Sequence, residues 1–66
     1  MKVYVVSACW SDDKTLRDYT EIIGVYSDLK NAITKQNETK AELYTYFSCD
    51  CNITNIDATV AEFEVK

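Results

Sequence analysis

The chain contains no histidine, a single glycine and no apolar run longer than a few residues. Without histidine it lacks the usual general base near neutral pH and the commonest metal ligand. Serine or cysteine nucleophiles have no imidazole to activate them. One glycine cannot build the glycine-rich loop that cradles a phosphate. No stretch approaches the ~20 apolar residues of a membrane span. The opening segment, residues 1–10, alternates polar and apolar residues behind a lone Lys2, which is not the pattern of a secretory signal. The expectation is a cytoplasmic protein that touches no membrane. Basic residues are scarce too: seven Lys and Arg stand against eleven Asp and Glu, for a net charge of −4 and a pI near 4.5. Nucleic acid needs a basic face, so it is excluded as a partner.

What is there suits one small globular domain over residues 1–66. Hydrophobic residues make up 47% and charged residues 27% of the chain, a balance that argues against intrinsic disorder. Charge is uneven. Residues 1–40 hold six acids and six bases, whereas residues 41–66 hold five acids and only Lys66. The plain reading is a solvated acidic surface that keeps the protein soluble. The sharper one is an acidic patch that steers a basic partner.

Residues 2–10 predict a strand, with Val3, Val5, Ser7 and Cys9 on one side and Tyr4, Val6, Ala8 and Trp10 on the other. Both sides are apolar enough for a strand inside a sheet. Residues 11–15 form a polar break, and Tyr19–Tyr26 is a second β-branched and aromatic run, so residues 2–26 read as a hairpin. Gly24 within it marks a bulge or a close approach. Ser27 or Asp28 can then cap a helix in which Leu29, Ala32, Ile33 and Gln36 make an apolar stripe ending near residues 37–40. Residues 42–52 alternate cleanly, predicting a third strand with Leu43, Thr45, Phe47, Cys49 and Cys51 opposite Glu42, Tyr44, Tyr46, Ser48 and Asp50. After a turn at 52–57, residues 58–66 predict a fourth strand. The expected fold is α+β: two layers, ββαββ, a four-stranded mainly antiparallel sheet with one helix on one face. Val3, Val5, Leu43, Phe47, Ala61 and Phe63 are expected beneath the helix.

Parity then places Tyr4, Val6, Trp10, Tyr44, Tyr46 and Val60 on the uncovered face, interleaved with Glu42, Glu62 and Glu64. Tyrosine and tryptophan anchor many interfaces. The same residues are also good strand formers on a half-exposed sheet. Stacking on RNA is a third use of such a face, and the carboxylates would repel a phosphate backbone. Carboxylate pairs for acid–base work are present, but Asp12 with Asp13 reads as a turn and Glu62 with Glu64 as a solvated strand face. No enzymatic activity is expected. Cys9, Cys49 and Cys51 offer three thiols with a C-x-C spacing and no histidine, short of a zinc set. A reducing compartment disfavours a disulfide, so the cysteines read as small hydrophobes on the inner face and no metal or cofactor is expected. The sequons at Asn37 and Asn52 carry no weight without a secretory signal.

Val3-Tyr4-Val5-Val6, then Ile22-Ile23-Gly24-Val25-Tyr26-Ser27 leading into Asp28–Ile33, and finally Glu62-Phe63-Glu64-Val65 resemble a family of small uncharacterised proteins frequent in phages and other mobile elements. The resemblance covers most of the chain outside residues 34–57 and brings no catalytic residues. The expected function is a non-enzymatic binding protein of phage or mobile-element type. It would inhibit a host protein with a basic surface, in the general character of anti-CRISPR proteins, through the face of Tyr4, Trp10, Glu42, Tyr44, Tyr46, Glu62 and Glu64. The alternative is a self-associating structural or regulatory subunit that buries that face in a homodimer. A weaker third is a small-molecule or metal binder built on the three cysteines.

Overall fold

A computed structural model of the chain describes residues 1–49 and 51–65. Its first strand, β1 (Lys2–Asp12), pairs antiparallel on both edges, with β2 (Arg17–Tyr26) and with β3 (Ile53–Glu64), in the order β2-β1-β3. A strand apolar on both sides belongs at the centre of a sheet, and β1 sits there. The hairpin turn closes on Asp12, whose carboxylate accepts from the Lys14 N–H at 2.9 Å. Gly24 lies beside a register shift in the β1–β2 ladder that leaves Ile23 unpaired. A Cβ on Gly24 would meet the Tyr26 ring at 3.0 Å, so glycine lets that ring lie against the strand.

The helix, α1 (Leu29–Tyr46), starts where capping chemistry predicts: the Asp28 carboxylate accepts from the Lys30 N–H at 2.8 Å. It runs far beyond residue 40. This corrects the expected third strand at 42–52, because residues 42–46 are helical and residues 47–49 form a turn. The expected turn at 52–57 is mostly the first half of β3. Among the described residues the fold is therefore a three-stranded antiparallel sheet with one helix, β-β-α-β, rather than the four-stranded ββαββ sheet. It remains α+β. Asp50 and Lys66, expected in the third and fourth strands, lie outside the described residues. The physical reason is a helical stripe with polar members. Leu29, Ala32, Gln36, Thr39, Leu43 and Phe47 recur at spacings of three and four, and the half-buried Gln36 and buried Thr39 continue a helix whose local pattern also alternates like a strand.

The helix lies on the side opposite to the one expected. Val6, Ala8, Ala32 and Ala58 are the buried hydrophobic residues, and Val6 is 0% exposed. Ala8 pairs with Ala58 across the ladder, and both share a face with Val6. The side bearing Val3, Val5, Ala61 and Phe63 is consequently uncovered, and Phe63 is 53% exposed. Small side chains explain the contact, since Ala8, Ala58 and Ala32 let the helix approach the sheet closely while Tyr4 and Trp10 flank the contact on the same side. Grouping by parity holds for the residues of β1 and β3 and fails for 42–52, which form no strand; the assignment of the covered side is reversed.

Candidate protein-docking surfaces

Two surfaces deserve comparison: the expected one, and the face the helix leaves bare. The expected residues do not form one sheet face. Tyr4 and Glu62 pair across β1 and β3 on the helix side, and the Tyr4 hydroxyl donates to Glu62 Oε1 at 3.4 Å. Glu62 also meets Lys2 Nζ at 3.5 Å, and Glu64 meets the N-terminal ammonium at 3.3 Å. Tyr4 and Glu62 border an open cleft with Leu29, Ile33, Gln36 and Val60. Trp10 is structural. It stacks on Tyr19 at 5.7 Å and 18°, and tilts against Phe47 at 5.5 Å. Tyr46 meets Phe47 edge-on at 4.9 Å, so an aromatic chain ties β2, β1 and the helix end together.

Glu42, Tyr44 and Tyr46 belong to α1 rather than to a strand. The Tyr44 hydroxyl donates to the Ile56 carbonyl at 3.4 Å. Tyr46 is 81% exposed and lines a shallow apolar depression with Ala41, Glu42 and Thr45. Of the seven residues, then, Glu42 and Tyr46 share one patch, Tyr4 and Glu62 share another, and Trp10 is committed to internal contacts.

The sequence predicts an uncovered face, but on the opposite side of the sheet. Register places Val3, Val5, Ile22, Val25, Ala61 and Phe63 together at one end of the sheet. Ile22 is 68% and Val25 60% exposed. Beyond them the same face carries Ser7, Thr20 and Thr59. The signal was available, because one helix can cover only one side of a sheet whose central strand is apolar on both. What parity alone could not supply was which side.

Little chemistry is poised here. Among the described residues no three His, Cys, Asp or Glu side chains converge as a metal set. The cysteines are free: Cys9 is half-buried on the bare face, with Sγ 3.7 Å from the Asp57 carbonyl, while Cys49 and Cys51 are exposed beyond the helix. This corrects their expected place on a shared inner strand face, since the helix and turn replace that strand. The Asp57 carboxyl is held below the usual carboxylate range, chiefly by the Ala58 N–H at 2.9 Å and then by Lys40 Nζ at 3.3 Å. Among the described residues no helix is long and apolar enough to cross a membrane.

No curated protein and no solved structure matches the chain. A family model described as "Domain of unknown function (DUF7336)" matches residues 1–66, and the chain belongs to that family.

Proposed function

We propose that this chain is a non-enzymatic protein-interaction module that docks through the bare sheet face. One observation carries the reading. A domain whose buried hydrophobic residues are one valine and three alanines leaves Ile22, Val25 and Phe63 more than half exposed on one side. Contiguous apolar surface of that kind marks an interaction site. The test is site-specific photocrosslinking in expressing cells, with Val25, Phe63 or Tyr46 replaced in turn by benzoylphenylalanine. Covalent adducts are expected from positions 25 and 63 and none from 46. Adducts from position 46 alone overturn the reading.

A second reading keeps the phage or mobile-element inhibitor of a host protein with a basic surface. The observation in its favour is the exposed Tyr46 beside Glu42, on the side of the molecule that also carries Glu21, Glu62 and Glu64. A basic partner would be steered to that side by charge. Its signature is adducts from position 46 together with binding that fades as salt is raised.

A further inference from the structure

We infer that the occupant of the bare face is a second copy of this chain, seated sheet against sheet about a two-fold axis. The inference rests on the docking reading above and names its partner.

Shape is the first support. The molecule is a slab of 41 × 20 × 12 Å with a radius of gyration of 13.2 Å, against about 11 Å for a compact domain of this length. Its accessible surface is 4862 Å², where a folded monomer of this mass is expected to show about 4,300 Å². A slab one helix and one sheet thick has the proportions of half a sandwich. Area is the second support. The whole broad face spans roughly 800 Å², and its apolar end, clear of Asp18 and Asp57, about half of that. Two apolar ends in contact then bury on the order of 800 Å² in total, the low end of specific interfaces and the scale of a dimer that forms in the micromolar range.

Charge is the third. Two copies at −4 each repel unless their acids are kept out of the contact. Asp12, Glu21, Glu62 and Glu64 register on the helix side of the sheet. Asp18 and Asp57 register on the bare side, but only at its hydroxyl-bearing end, opposite Ser11 and Cys9. Among the described residues the side chains of the apolar end carry no charge of either sign, and the N-terminal ammonium at its margin is paired with Glu64. A basic partner would find nothing there to pair with, whereas a second copy presents the same neutral, flat surface. Val5 lies at the middle of that end, between Val25 and Ala61, so the axis passes near it and facing sheets sit about 10 Å apart.

Sedimentation equilibrium of the purified full chain tests this, with far-UV circular dichroism on the same samples. At about 10 µM, inside the range of ordinary homodimers, the expected mass is twice 7.6 kDa, and the melting temperature rises with protein concentration. Ile22→Glu with Val25→Glu should weaken dimerisation at least ~100-fold, while Glu42→Lys leaves it unchanged. A wild-type mass of one chain at every concentration overturns the inference, as does undiminished dimerisation of the double variant. Should the double variant unfold, the concentration dependence of wild-type melting decides alone: present, it supports the dimer; absent, it sinks it. A monomer whose positions 25 and 63 crosslink to a different protein ends the inference and leaves the docking reading standing. Crosslinks from position 46 alone end both.

Discussion

The Gln36 side-chain amide donates to the Ala58 carbonyl at 2.7 Å, in a part-buried bond between the middle of α1 and β3. It is the shortest side-chain tie between helix and sheet among the described hydrogen bonds, and it runs from a residue that looks misplaced on an apolar stripe. Replacing Gln36 by Leu keeps the bulk and removes the donor. Leaving a part-buried carbonyl unpaired costs ~1–2 kcal/mol, so Gln36→Leu should lower the urea midpoint despite being more hydrophobic. An unchanged midpoint would mean that the bond contributes nothing net.

Thr39 presents the opposite case. It is 4% exposed, and its hydroxyl has no hydrogen-bond partner among the described residues. Valine has nearly the same shape and no polar group to desolvate, so Thr39→Val should stabilise the fold by about 1 kcal/mol. Equilibrium urea unfolding measures it, and a loss of stability would show that the hydroxyl is satisfied in solution.

Aromatic residues should divide sharply. Trp10→Ala removes contacts to both Tyr19 and Phe47 and should cost about 3 kcal/mol, most of what a domain this small holds. Tyr46→Ala trims a ring exposed to water on most of its surface and should cost well under 1 kcal/mol. Thermal melts of the two variants decide this. Equal losses would show that the aromatic chain is held from the Tyr46 end.

Acid should act through Asp57. Its carboxyl is shifted downward because the fold favours the charged form, through the Ala58 N–H first and Lys40 second. Such a group stabilises the native state above its unfolded pKa, near 4, and that contribution disappears as pH falls through the lower folded value. Asp57→Asn should therefore lower stability at neutral pH, where the charged form contributes, and flatten the acid limb, so that variant and wild type converge as pH falls. Lys40→Met should flatten it less. A steeper acid limb in Asp57→Asn contradicts the assignment.

Much of the fold is legible in local chemistry. The alternation of β1, the polar break before β2 and the Asp28 cap each depend on neighbours within a few residues, and each is found where the sequence places it. Legibility fails where two periods coincide. Glu42 to Phe47 alternates with period two, yet Leu43 and Phe47 also continue the stripe that Gln36 and Thr39 disguise with polar side chains. The winner is set by contacts with Ala58 and Trp10, which are distant in sequence. The candidate site suffers from the same gap. Tyr4 and Glu62 are correctly placed on one face, but whether the helix covers it depends on how closely Ala32 approaches Ala8 and Ala58. No nearest-neighbour pattern encodes that.

Both outer strands carry surplus residues against β1: Ile23 in β2, and the stretch around Asn55, where φ is +54°, in β3. Each surplus bends its strand and breaks the even row of N–H and C=O groups along the sheet margin. A third molecule trying to extend the ladder sideways would fall out of step within half a strand. Growth is thereby denied in the direction that produces fibres. In the dimer inferred above, association through the broad side would then reach a finite size and stop.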